Sequence, residues 1–318
     1  MKIAITGGTG FVGRELVRHH TLAGDQINIL SRRQFDNHIA SENVRFYYGD
    51  LLTSENLMQF TKDIDILYHC AGEIHDEYKM EEVHIKGTQR LIDAASGGIH
   101  RWVQLSSVGA YGPRSSGVVT ENSELHPQGV YERTKTKSDY LVQCAGLNGS
   151  FEWSIVRPSN IYGPKMTNQS LYALIEMIRR GYFFFIGPPG SCANYIHVSN
   201  VVGALVLCGS HPLANGQIYN ISDACSVEEL NAIISTCFGR RATRIRLPEW
   251  PIMKLAKILD KFGRFPLSQS RVLALTGRAK YSTKKIEIDL GYKNTISMKE
   301  GIVELVRASG LLRQTHKL

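Results

Sequence analysis

The chain has 318 residues, 43% of them hydrophobic, enough to bury a large core as one big domain or as two lobes sharing an interface. No run of about eighteen apolar residues occurs, and the first residues lack a basic, apolar and small-residue leader, so neither a membrane span nor a secretory signal is expected and a cytoplasmic location follows. Six cysteines without C-x-x-C pairs or spaced His partners argue against a metal site or a disulfide framework, and the formal charge of +8 reads as an excess spread along the chain that calls for no nucleic-acid partner.

The first element is Lys2-Ile3-Ala4-Ile5, which enters Thr6-Gly7-Gly8-Thr9-Gly10-Phe11-Val12-Gly13 and then Arg14-Glu15-Leu16-Val17. An apolar run, three glycines at three-residue spacing and an amphipathic stretch spell strand, tight turn and helix, the phosphate-cradling opening of a dinucleotide-binding unit. Gly7 frees the turn, Gly10 lets backbone N–H groups near Phe11 and Val12 approach a pyrophosphate, and Gly13 lets the helix pack tightly. The positive end of the helix dipole then faces the phosphates.

Strand patterns at 2–6, 26–31, 44–48, 65–69 and 101–106 alternate with helical patterns near 11–23, 53–61 and 77–97. Strands joined by crossover helices pair in parallel, so a Rossmann-type doubly wound α/β sheet is expected, with ligands at the carboxyl ends of its strands. The second strand ends Ser31-Arg32-Arg33, where an NAD-selective unit would carry an acidic residue for the ribose hydroxyls. A carboxylate repels a 2′-phosphate and Arg holds it with a bidentate fork, so NADP is favoured, with NAD as the alternative. The third strand runs into Gly49-Asp50-Leu51 and the fourth into His69-Cys70-Ala71-Gly72: Asp50 can accept from an adenine amino group, and Ala71 and Gly72 let backbone lie against a cofactor. Both stretches also read as plain turns, and His69 also reads as a satisfied, partly buried histidine.

The fifth strand ends in Ser106-Ser107, and after a loop with Pro113 and Pro127, Tyr131-Glu132-Arg133-Thr134-Lys135 opens a helix. Residues four apart share a helix face, so Tyr131 and Lys135 point the same way. A Lys ammonium beside a phenol lowers its pKa and suits it to acid/base work, with Ser107 able to bond the same substrate oxygen.

Thr6-Gly7-x-x-Gly10-x-x-Gly13, Asp50-Leu51, His69-x-Ala71-Gly72, Ser107, Tyr131-x-x-x-Lys135 and Arg157-Pro158-Ser159-Asn160-Ile161-Tyr162-Gly163-Pro164 together resemble the extended short-chain dehydrogenase/reductase family, its NAD-dependent epimerase/dehydratase group, over roughly residues 1–210. The resemblance implies Tyr131 as acid/base, Lys135 as the residue that lowers its pKa and binds the nicotinamide ribose, and Ser107 as the residue that orients the substrate oxygen. It further implies Asp50 and Leu51 at the adenine, Ser106 beside the cofactor, and Pro158, Asn160 and Ile161 along the nicotinamide. Two positions depart from the family pattern: His84 and Asn200 stand where the family usually has Asn and an acidic residue. His donates and accepts as Asn does, so a geometric substitution is expected at His84, with a proton-relay role as the alternative.

Asn168 to Arg180 reads as a helix and Tyr182-Phe183-Phe184-Phe185-Ile186 as an apolar run suited to core packing or to stacking on a substrate. Ser226 and Ser297 open later helices, and Lys254 to Arg278 is the largest local source of positive charge, read as a solvated face or as a basic patch for a phosphate-bearing substrate. Residues 1–165, with 191–222 returning to them, are expected as the dinucleotide-binding domain, and 166–190 with 223–318 as the substrate lobe. The resemblance implies an oxidoreductase or epimerase acting on a nucleotide-linked sugar, with Arg244, Arg246, Arg271 or Arg278 offering charge to its diphosphate. The alternatives are an apolar alcohol or ketone as substrate, or a cofactor-sensing protein without activity. A homodimer through helices 77–97 and 131–146 is a further possibility the resemblance raises.

Overall fold

The computed structural model describes residues 1–33, 42–53, 56–260 and 268–314. In chain order its first half holds β1 (Lys2–Thr6), α1 (Phe11–Leu22), β2 (Gln26–Ser31), β3 (Val44–Tyr48), α2 (Leu57–Phe60), β4 (Ile64–His69), α3 (Glu77–Glu81), α4 (Gly87–Ala95), β5 (Ile99–Leu105), β6 (Val118–Val119), α5 (Val130–Leu147) and β7 (Glu152–Pro158). Then follow β8 (Asn160–Tyr162), α6 (Gln169–Arg180), β9 (Phe185–Ile186), β10 (Cys192–His197), α7 (Val198–Ser210), β11 (Gln217–Ile221), β12 (Asp223–Ser226), α8 (Val227–Cys237), β13 (Arg246–Leu247), α9 (Glu249–Leu259), α10 (Gln269–Thr276), β14 (Lys280–Tyr281), α11 (Lys284–Leu290) and α12 (Met298–Ala308).

Seven strands form one parallel sheet in the order β11-β7-β5-β4-β1-β2-β3. The chain winds outward from β1 in both directions, so the crevice where the order reverses lies between β1 and β4, at the ends of Thr6 and His69. Side chains alternate across the strands. Ile3 and Ile5 face a cluster with Leu16 of α1, Val201 and Leu205 of α7 and Ile286 of α11, while Ala4 faces the other side, where Phe60, Leu91, Trp102, Val142 and Ile155 gather. A third cluster, with Ile175 of α6, Leu230 of α8 and Ile302 of α12, fills the space beside the three-stranded sheet β12-β10-β8.

The first three strands have the expected bounds, and β4 and β5 start one and two residues early. The helix expected over 77–97 is interrupted: between α3 and α4 the residues Glu82–Lys86 form a π-helical turn. Of the 182–186 run only Phe185–Ile186 is strand, paired with β13. Phe183, Phe185 and Ile186 are buried, and Phe183 and Phe185 meet edge to face at 5.2 Å, so these aromatics pack the core. Ser226, where the spacing suggests a capping box, caps α8 by accepting the Glu229 N–H at 3.0 Å, and Ser297 caps α12 in a reciprocal box with Glu300. Among the described residues no helix is long and apolar enough to cross a membrane.

Candidate active site

The glycine turn at the end of β1 has no room for side chains. Gly7 sits at φ +69, and a Cβ there would lie 2.7 Å from the Ala71 nitrogen. A Cβ on Gly13 would lie 2.1 Å from the Gly7 carbonyl oxygen, so the third glycine is required by contact of the helix with the turn itself. The Gly10 N–H donates to the Gly7 carbonyl at 2.8 Å and closes the turn. The first turn of α1 has neither a side-chain cap nor an acidic residue. Its leading N–H groups, at Phe11, Val12 and Gly13, are therefore left for an external anion at the positive end of the dipole. These residues fit a dinucleotide's pyrophosphate.

Several residues expected to touch a cofactor turn their side chains elsewhere. Thr6 is fully buried: its hydroxyl lies 2.6 Å from His69 Nδ1 and accepts the Ala71 N–H at 3.2 Å. The other ring nitrogen of His69 lies 3.0 Å from the Thr88 hydroxyl. Burial first, and then the charge of Lys135, hold the His69 pKa well below the usual histidine value, so the ring is neutral and belongs to the interior. Leu51 is core as well, against Gly87. Asp50 accepts the Leu52 N–H at 3.1 Å in a local turn. The Ser106 hydroxyl donates to Asp139 at 2.7 Å, the Asn160 amide donates to the Asn194 carbonyl at 3.2 Å, and Pro158 ends β7 with Ile161 half-buried beyond it. Ser31 is buried and its hydroxyl accepts the Arg33 N–H at 3.1 Å, a small turn that leaves Arg32 and Arg33 exposed. Neither guanidinium pairs with a carboxylate among the described residues.

Ser107 follows the carboxyl end of β5, Lys135 reaches that strand end from α5, and Tyr131 stands one helical turn before Lys135. The Ser107 hydroxyl accepts the Gly109 N–H at 3.0 Å in the short turn after the strand. That turn lies against the first turn of α5, where a Cβ on Gly109 would stand 3.0 Å from the Glu132 side chain. Lys135 is 5% exposed and its Nζ donates to the Leu105 carbonyl at 2.7 Å. Tyr131 is half-buried, with its ring edge-on to His84 at 5.6 Å. Burial first, and then the negative charge of Asp139, push its phenol up to about 12, and burial pushes the Lys135 ammonium down. The expected lowering of the Tyr131 pKa by Lys135 is thus absent here: burial and the Asp139 charge both raise it, and the ammonium is directed at a strand carbonyl.

His84 sits in the π-helical turn and is 2% exposed. Its Nε2 accepts the Glu73 N–H at 2.9 Å, which fixes the proton on Nδ1, 2.8 Å from the Thr134 hydroxyl. Burial and the Lys135 charge lower its pKa to about 3, so it stays neutral and ties the loop after β4 to the helix turn that carries Tyr131 and Lys135. This is the geometric substitution expected of it.

Sequence reasoning missed a second set of residues. Ser138 lies 3.0 Å from Thr88 and accepts from Gln104 at 2.9 Å. Asp139 takes both the Ser106 hydroxyl and the Arg157 guanidinium, at 3.1 Å to Nη2, and Arg157 Nη1 donates to the Tyr111 hydroxyl, which donates to Asn220 at 2.9 Å. The signal for it was a polar stripe: Thr134, Lys135, Ser138 and Asp139 are buried on one face of α5 at helical spacing.

The model of the NAD dependent epimerase/dehydratase family matches residues 3–222. The chain belongs to this family. It is an enzyme of the epimerase/dehydratase kind, with a nicotinamide dinucleotide as the cofactor its glycine turn fits. A UDP-glucose 4-epimerase of Vibrio cholerae is 26% identical over 323 residues, 96% of this chain and 94% of the relative. A decarboxylating sterol-4-alpha-carboxylate 3-dehydrogenase of Mus musculus is 25% identical, covering 98% of this chain and 92% of the relative. The structure of UDP-glucuronic acid 4-epimerase from Bacillus cereus in complex with NAD superposes with a TM-score of 0.74 at 19% identity, over 98% of this chain and all of the other.

Proposed function

We propose that the enzyme is an NADP-preferring oxidoreductase acting on a nucleotide-linked sugar, by 4-keto reduction in preference to 4-epimerisation. In this reading residues 1–165 with 191–222 hold the cofactor, and 166–190 with 223–318 hold the sugar. Support for the nucleotide-sugar class comes from relatives named as UDP-glucose 4-epimerase and dTDP-glucose 4,6-dehydratase. The preference for NADP rests on exposed Arg32 and Arg33 at the end of β2, where a carboxylate would serve NAD.

The observation that carries the reading is Lys135 Nζ on the Leu105 carbonyl at 2.7 Å, which brings the helix face bearing Tyr131 and Lys135 to the strand end that Ser107 follows. A bound nicotinamide supplies the carbon that gives or takes hydride. With its phenol pushed up to about 12, Tyr131 is protonated at neutral pH, the form that delivers a proton to a carbonyl oxygen, which suits reduction. Ser107 holds that oxygen and Lys135 the cofactor's ribose. Arg244 is exposed, whereas Arg246 is bound to Glu228 at 2.6 Å and Arg278 to the Pro188 carbonyl at 2.8 Å, so Arg244 is the one of these three we assign to a diphosphate. Exposed Tyr78 and Tyr140, on α3 and α5, support a homodimer through these helices.

A thermal-shift screen of nucleotide sugars against steroids and flavonoids, with NADP⁺ present, tests the substrate class. Stabilisation by steroids alone favours the second reading, an apolar alcohol or ketone, for which the sterol dehydrogenase relative speaks. Cofactor titration of the Arg32→Ala/Arg33→Ala variant tests the first: unchanged NADPH affinity sinks the NADP preference. Full turnover in Tyr131→Phe sinks the acid/base assignment.

A further inference from the structure

The most basic stretch of the chain includes a helix, α9, that exposes three large apolar side chains among the described residues. Residues 240–280 carry eleven Lys and Arg against two Asp and Glu, a net +9 in a chain whose total is +8. The charge is therefore not spread along the sequence, and the rest of the chain is close to neutral. Within this stretch α9 and α10 close inward through Ala256, Val272 and Ile186, none more than 3% exposed.

The outer side of α9 is not the polar face of a solvated helix. Trp250, Lys254 and Ile258 follow one another at i, i+4 and i+8, flanked by Leu255 and Lys257. Trp250 is 66% exposed, Ile258 55% and Leu255 45%, and Leu273 of α10 adds 58%. The Lys254 ammonium stands over the Trp250 ring, 4.5 Å from its centre. Large apolar side chains outward, interleaved with lysine and with tryptophan at the edge, are what a helix lying in a lipid interface presents.

We propose that the outer face of α9 and α10 is a docking surface for an anionic lipid bilayer, on which α9 lies in the plane of the headgroups. Charge complementarity decides the occupant. A second copy of the same face would bring Lys254 and Lys257 against their own kind. A nucleic acid would use the lysines but leave Ile258, Leu255 and Leu273 without purpose. An anionic membrane takes both, the acyl boundary accepting the apolar side chains and the headgroups the ammonium groups.

The test uses the full chain with vesicles of phosphatidylcholine, alone or mixed with phosphatidylglycerol, read by co-sedimentation and tryptophan emission. Trp102 and Trp153 are only 0% and 7% exposed, so a blue shift reports Trp250. The expected result is binding to the mixed vesicles with a blue shift, weakened by salt and absent with phosphatidylcholine alone. Trp250→Ser with Ile258→Ser should abolish sedimentation. Lys254→Ala with Lys257→Ala should weaken it about 25-fold, about fivefold per charge. Both pairs should melt as the parent does, because the altered side chains are exposed. No sedimentation with the mixed vesicles overturns the proposal, as does sedimentation that survives Trp250→Ser/Ile258→Ser. A concentration-dependent dimer that this same pair abolishes also overturns it, since a second copy then covers the face.

Discussion

From the carboxyl ends of the strands two buried polar chains run to α5 and reach it at the adjacent residues Ser138 and Asp139. The first is uncharged: Thr6, His69, Thr88, Ser138, Gln104 and Trp102 pass hydrogen bonds from β1 to β5, and each of these side chains has a partner. The second is ionic, with Asp139 and Arg157 at its centre and Ser106, Tyr111 and Asn220 around them, and it leaves Asp139 Oδ1 and Asn220 Nδ2 buried without one. Neutral groups that satisfy one another contribute modestly, bond by bond. A buried charge pair adds little net stability when intact, yet losing one member leaves the other uncompensated. The first chain spaces α5 from the sheet; the second locks it.

The largest effect is therefore expected at Arg157. Arg157→Met leaves the Asp139 carboxylate, 1% exposed, without its cation, and should cost roughly 3–5 kcal/mol in denaturant unfolding, part of it restored by adding Asp139→Leu. A loss under about 1 kcal/mol would put the two chains on an equal footing. Acid comes next and acts on the uncharged chain and on His84. The unfolded chain takes up protons on these histidines below pH ~6.5, whereas the folded protein, with His84 held at about 3 and His69 well below its usual value, refuses them. Stability should thus fall as pH drops below about 6.5, by roughly 1.4 kcal/mol per pH unit for each histidine. A flat profile between neutral pH and pH ~5 would contradict their neutral state.

His84→Leu removes the acceptor of the Glu73 N–H and should lose about 1–3 kcal/mol in thermal unfolding, where His84→Asn should lose less and also shallow the acid slope. Equal losses in the two variants would mean the ring's volume matters rather than its bonds. The smallest change belongs to the neutral chain: Thr88→Val should cost about 1 kcal/mol, and a loss as large as that of Arg157→Met would undo the distinction between spacer and lock.

The glycine turn was readable because the residue type is itself the constraint: positive φ at Gly7 and no space for a Cβ at Gly13 admit nothing else. Tyr131 and Lys135 were readable because four residues make a helix face. The polar stripe at Ser138 and Asp139 lay in the sequence at the same spacing, but what it meets did not. Gln104 lies 34 residues before Ser138, and Asn220 lies 109 beyond Tyr111, distances at which no local pattern operates. Nor did Glu82–Lys86 announce a π-helical turn, since its composition suits an ordinary helix. Thr6, His69 and Leu51 fell where cofactor contacts are expected, at strand ends, and only the fold shows their side chains turned inward.

The same long separations set an order in time. Once α5 is helical, Tyr131 and Lys135 share a face, and that alone fixes nothing about where the face points. The bonds that aim it join His84 to Thr134 and Thr88 to Ser138, 50 residues apart in each case, and the ionic chain from Asp139 through Arg157 and Tyr111 ends at Asn220 in β11. Closures of that length come late in folding. A nascent chain that has not yet made β11 holds every residue of the candidate catalytic trio and lacks the strand that finishes anchoring them.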